Sequence, residues 1–149
     1  MRIVFTALLF LFLSTDGISQ KDLRPRLLVL TDIGGDPDDE QSMRHLLVYA
    51  NEFRIEGLIA TSDNIPRKGY NHQIRTDLII KAIKAYGEVR DNLILHAPNY
   101  PTAESLLKVV HGGQVNRGVE NLAAGKETSG SKHIIRTVRQ RSRANSRHI

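Results

Sequence analysis

The segment RLLVLTDIGGDPDD, residues 26–39, narrows the possible folds sharply, because an apolar run passes directly into an acidic, glycine-containing loop. Arg26–Thr31 shows no polar alternation, which is the pattern of a parallel strand buried on both faces. Downstream, Asp39–Phe53 (DEQSMRHLLVYANEF) places Met43, Leu46, Leu47 and Ala50 at i, i+3, i+4 and i+7. That spacing predicts an amphipathic helix with Asp38 as N-cap and with Asp39 and Glu40 at the positive end of its dipole. Ile55–Thr61 (IEGLIAT) reads as a second strand. A strand, helix and strand in this order default to a right-handed crossover and a parallel sheet, so the fold class is α/β.

Beyond the second strand the pattern is less regular. Ser62–Tyr70 is a polar loop punctuated by Pro66 and Gly69. His72–Tyr86 reads as a helix with Ile74, Leu78, Ile79, Ala82 and Ile83 on one face and Gly87 as its C′ residue. Leu93–His96 fits a strand or a helical turn equally well. Thr102 can cap a short helix through Val110, and Gly112–Gly130 is loop-rich and polar. At Gly130–Val138 (GSKHIIRTV) another helix begins, with Ile134, Ile135 and Val138 at helical spacing. Only two strands are clear, too small a sheet to cover its helices.

The ends of the chain differ from its middle. Arg2 precedes the apolar run Ile3–Leu13, and Gly17 and Ser19 stand at −3 and −1 of a cleavage point before Gln20. This is the pattern of a secretory signal over residues 1–19, since an apolar stretch of about 11 residues is too short to span a bilayer. The expected location is secreted or periplasmic. The formal charge of +5 comes from the other end: Lys132, Arg136, Arg139, Arg141, Arg143 and Arg147 are basic, and no acid follows Glu127. The domain proper is therefore assigned to residues 26–138, and residues 139–149 (RQRSRANSRHI) to a basic disordered tail with no apolar face. A nucleic-acid tether is the alternative use of such a tail. In an exported protein a solvated tail is the better reading.

Cysteine is absent, which excludes a disulfide framework, a zinc finger and a thiol nucleophile. No GxGxxG, GxxxxGK[ST] or GxSxG pattern occurs. His45 and His72 are expected on helices and partly exposed, and His111 in a loop without a visible partner. The remaining chemistry lies in LTDIGGDPDDEQ, residues 30–41, where Asp32, Asp36, Asp38, Asp39 and Glu40 crowd the carboxyl end of the first strand. Open α/β sheets bind ligands there. Clustered carboxylates repel unless solvated or neutralised, and an all-oxygen set suits Ca²⁺ or Mg²⁺. An acidic helix N-terminus explains Asp39 and Glu40 equally well, but it does not explain Asp32.

The combination RLLVLTDIGGDPDDEQS and IEGLIATSDN resembles the nucleoside hydrolase superfamily, nearest to its secreted nucleoside-hydrolase-like, cellulose-binding-type branch. In the motif D-x-D-x-G-x-D-D the second Asp corresponds to Asp32, the Gly to Gly34, and the closing pair to Asp38 and Asp39; Asn64 matches the Asn after the second strand. The resemblance covers roughly residues 26–131 and implies part of a parallel, Rossmann-like sheet. By the same resemblance Asp32 is a Ca²⁺ ligand and general base, Asp39 a second ligand, and Asp38 and Asn64 hold ribose hydroxyls. The implied activity is hydrolysis of N-glycosidic ribosyl bonds by metal-activated water on a small nucleoside or sugar, with no nucleic-acid partner. The alternative is a non-catalytic carbohydrate-binding module. Three departures stand out. Leu30 occupies the first Asp position, Gly35-Asp36-Pro37 lengthens the loop, and the family's further metal-ligating Asp and catalytic His belong to a second half beyond this sequence. A truncated, weak or inactive form is the resulting expectation.

Overall fold

A computed structural model describes residues 22–62, 73–116 and 118–145. The elements are β1 (Arg26–Thr31), α1 (Pro37–Val48), β2 (Arg54–Ala60), α2 (Thr76–Ile94), α3 (Ala103–Leu107), β3 (Val110–Gly112) and α4 (Ser129–Asn145). Short 3₁₀ turns occupy Ala50–Glu52 and Val119–Leu122. The three strands form one parallel sheet in the order β1-β2-β3. Arg26 pairs with Arg54 and Thr31 with Ala60, while Leu58 pairs with Val110 and Ala60 with Gly112. The β1–β2 register shifts between Leu27 and Leu28, leaving Glu56 as the extra residue of a bulge.

Alternation along β2 separates two layers. Leu58 and Ala60 join Ile33, Met43, Leu47, Ile79, Ile83, Tyr86 and Leu106 in one core, built by α1, α2 and α3 against one sheet face. Ile59 faces the other way, toward α4: a Cβ added to Gly130 would lie 2.7 Å from Ile59 Cγ2. The two layers close on the sheet by different means. The first packs apolar side chains, whereas α4 buries Gly130, His133 and Thr137.

Several boundaries differ from the sequence expectation. Helix α1 starts at Pro37, not Asp39, and its N-cap is Asp36 rather than Asp38. Proline is favoured at the first helical position, where its missing N–H costs nothing. Helix α1 also ends at Val48, and the chain turns through a 3₁₀ segment before β2. Helix α2 continues through Gly87 to Ile94, absorbing the first half of the ambiguous segment at 93–96. Gly87 serves close packing instead of termination: a Cβ there would meet the Ala103 Cβ of α3 at 3.1 Å. The short helix after Thr102 stops at Leu107, and Val110–Gly112 forms a third strand.

Helix α4 corrects two further expectations. It extends through Asn145, so residues 139–145 are helical instead of frayed. Arg, Gln and Ala are good helix formers, and extending an existing helix avoids the cost of nucleation. Its inner face is only in part the one that apolar spacing selects: Ile134 is half-buried, whereas Ile135 and Val138 are 45% and 55% exposed. Among the described residues no helix is long and apolar enough to cross a membrane. Residues 1–19, where a secretory signal is expected, lie outside the described residues.

Candidate functional site

Asp32 follows β1 directly and starts a tight turn in which the Gly35 N–H donates to the Asp32 carbonyl at 3.0 Å. Ile33 is 2% exposed and sits in the α1–α2 core, so its side chain pins the loop beside Asp32. Gly34 then takes φ +95°, a left-handed conformation that L side chains disfavour. A Cβ there would also come within 2.9 Å of Leu78 Cδ1. The turn thus needs glycine on two counts.

Helix α1 positions the second carboxylate. Asp36, extended at φ −127° and ψ 156°, forms a capping box with Asp39, whose Oδ2 accepts from the Asp36 N–H at 3.4 Å. Asp38, Asp39 and Glu40 lie in the first turn, where the helix dipole favours negative charge. Glu40 is engaged by Arg44 at 2.7 Å along the helix.

Asp32 and Asp39 line one open pocket of about 350 Å³, together with Leu30, Thr31, Ser42 and Leu46. The pocket lies at the carboxyl end of β1, the ligand-binding end of a parallel sheet. Burial pushes the Asp39 carboxyl above its ordinary value; the Asp36 N–H opposes this, and the charges of Asp32, Asp38 and Asp36 add to the rise. Asp38, which the resemblance assigns to sugar hydroxyls, is exposed and does not line this pocket. A first-turn helix position can carry it on the solvent side while its neighbour Asp39 turns inward. Asn64 lies outside the described residues. Leu30, 57% exposed, forms an apolar wall where the related motif carries its first Asp.

The Asp32–Asp39 pair fits part of a hard-cation shell. Both are oxygen donors on one cavity, and their mutual repulsion is of the kind that a cation relieves. Ca²⁺ takes about six to eight oxygens, however, and among the described residues no group of three His, Asp or Glu side chains converges on a common point.

A second pocket of about 340 Å³ opens at the same end of the sheet on the α4 side. It is lined by Leu30, Ile59, Thr61, Gly113, Ser131 and Ile135 among others, so Leu30 borders both cavities.

Residue spacing did not reveal the histidine pair beneath α4. His111 is not a loop residue without a partner: it lies on β3, and its ring centroid is 4.1 Å from that of His133 on α4. The signal was a register relation between a three-residue strand and a distant helix, which local spacing does not encode.

These features can be set beside known proteins. The family model described as "Cellulose-binding Sde182, nucleoside hydrolase-like domain" matches residues 26–147. The chain belongs to this family. A solved structure of a nucleoside hydrolase-related hypothetical protein from Saccharophagus degradans, described as associated with carbohydrate metabolism, is similar at 36% identity and a TM-score of 0.68. The alignment covers 77% of this chain and 27% of that one, so the Sde182-type segment here spans about a quarter of the solved protein's length. Comparison with curated proteins gives no match. The α/β sheet with its flanking helices is thus part of a nucleoside-hydrolase-like fold.

Proposed function

We propose that this Sde182-type domain is exported and binds the hydroxyl groups of a sugar ring in the Asp32–Asp39 pocket. The observation that carries the reading is the convergence of two carboxylates on one cavity at the carboxyl end of a parallel strand. Carboxylates accept two hydrogen bonds from vicinal hydroxyls readily, and charge-assisted bonds of this kind are the stronger ones. Leu30 and Leu46 offer an apolar wall for the ring's C–H face. Asp32 and Asp39 would also hold a divalent cation such as Ca²⁺, which supplies Lewis acidity when bound. The family name supports cellulose-derived sugars as the first ligands to try, and the nucleoside hydrolase relationship supports ribosides.

Calorimetric titration with cello-oligosaccharides and with ribose, in Ca²⁺ and again in EDTA, tests the reading. Asp32→Asn is expected to weaken binding by about tenfold or more, the loss of one charge-assisted contact. Absence of binding to every sugar in both conditions would overturn it. Export is checked separately by sequencing the mature N-terminus, expected at Gln20.

Hydrolysis of an N-glycosidic bond is the second reading, favoured by the placement of Asp32 where a base could take a proton from water. Turnover of p-nitrophenyl riboside that Asp32→Asn abolishes would establish it. With two carboxylates assembled, the expected rate is low.

A further inference from the structure

We propose that helix α4 is held to the sheet by a latch of neutral histidines, His111 and His133, that releases on mild acidification. Helix α4 has little apolar grip, since its buried residues are Gly130, His133 and Thr137. Its contact depends on close approach. A Cβ at Gly57 would lie 3.2 Å from His133 Cδ2, and one at Gly130 would lie 2.9 Å from the Gly112 carbonyl oxygen.

The protonation state of His133 follows from its partners. The Arg136 guanidinium contacts His133 Nδ1 at 2.9 Å and can only donate, so Nδ1 accepts. The Glu56 carbonyl, 2.5 Å from Nε2, can only accept, so Nε2 carries the proton. Both nitrogens are thus committed in the neutral ring. A second proton at Nδ1 would break the Arg136 bond and set two cations side by side. His111 stacks on this ring at 4.1 Å, and among the described residues its buried Nε2 has no hydrogen-bond partner. A charge on His111 would be buried beside the His133 ring and near the Arg136 cation.

The other charged groups around the pair do not rescue the protonated state. From β2, the Glu56 carboxylate is already engaged by Arg26 of β1 and by Arg54. Arg26 also donates to the Thr137 carbonyl of α4 at 3.0 Å, adding a further cation beside the helix. Burial lowers the His111 pKa first, with His133 and Arg136 adding to the effect. A histidine whose folded pKa lies below its free value near 6.5 binds fewer protons docked than released, so docking is full above that value and weakens as pH falls through it.

Release has a consequence for the ligand-binding end of the sheet. Ser131 and Ile135 of α4 wall the pocket that shares Leu30 with the acidic site. Undocking α4 removes that wall, so mild acid would open the second cavity beside the first.

Hydrogen exchange read by mass spectrometry on the full chain, corrected for intrinsic exchange rates, tests the latch. Between about pH 7.5 and pH 5.5 the opening equilibrium of α4 is expected to rise several-fold, up to the roughly tenfold limit for His111 kept neutral while docked, and α2 keeps its protection. His133→Gln keeps one donor and one acceptor but cannot ionise, and His111→Leu removes the unpartnered nitrogen. The double variant is expected to hold α4 equally well at both pH values. The latch is overturned if α4 protection in the unaltered chain does not change with pH, or if the double variant loses it as steeply. Should the double variant fail to fold, the same comparison with His111→Leu alone decides, since it must reduce the pH response.

Discussion

Gly57→Ala probes the closest contact between the sheet and α4. The new Cβ would lie 2.5 Å from Leu28 Cδ2, 3.2 Å from His133 Cδ2 and 3.4 Å from His133 Nε2. The Leu28 methyl is the far end of a rotatable side chain and can move aside. His133 cannot do so cheaply, because Glu56 and Arg136 hold its two nitrogens at 2.5 and 2.9 Å. Overpacking of this kind costs about 1–3 kcal/mol. Replacing Gly by Ala restricts the unfolded chain and returns about 0.4–1 kcal/mol, leaving a net loss of about 1–2 kcal/mol. With a urea m-value of about 1.5 kcal/mol/M, the midpoint followed by far-UV circular dichroism should fall by about 1 M. A double-mutant cycle with His133→Ala should show the two costs to be less than additive by about 0.5 kcal/mol or more. An unchanged or raised midpoint at constant m, or strict additivity, would refute the reasoning.

Three other outcomes are expected from the same urea assay. Leu47→Ala empties a position 2% exposed in the α1–α2 core and should cost about 2–5 kcal/mol. Asp36→Ala removes the N-cap side chain of α1 and should cost about 1 kcal/mol; because the backbone N–H that holds Asp39 Oδ2 remains, any sugar or Ca²⁺ binding by the pocket should change little. Glu56 is raised by burial, but the Arg26 hydrogen bond and the charges of Arg26 and Arg54 outweigh this and hold it below its ordinary value of 4.5. Its contribution is therefore complete above pH 4.5 and is lost as pH falls through the lowered folded value; the fall in midpoint below pH 4.5 should be shallower in Glu56→Gln.

The parts of the fold legible in the sequence are those that rest on local pattern. β1 was bounded correctly at Arg26 and Thr31, and β2 shifted by one residue, because continuous apolar runs next to polar loops mark buried strands. β3 was hidden because Val110–Gly112 is too short to show a period and pairs with β2 across a long crossover. Helix α2 overran its expected end because Gly87 has two possible meanings, a terminator or a contact point, and only the approach of Ala103 tells them apart. In α4 the apolar residues Ile135 and Val138 marked one stripe while the sheet took the face carrying Gly130, His133 and Thr137. That Asp32 and Asp39 face one pocket was legible because only a short loop separates the end of β1 from the first turn of α1. The exposure of Asp38 depends on how Pro37 and Asp36 set the first turn, which spacing alone does not reveal.

The fit of α4 against the sheet also bears on how the sequence can drift. Gly57 with Leu28 and His133 forms one close-fitting set, and Gly130 with Ile59 and Gly112 forms another. Within each set, added volume on one side must be given up on the other. A relative with a side chain at the position of Gly57 should therefore carry a smaller residue where His133 stands. Such paired exchanges across homologues would form a covariance record linking residues 57 and 133, far apart in sequence, through the space left by one missing methyl group.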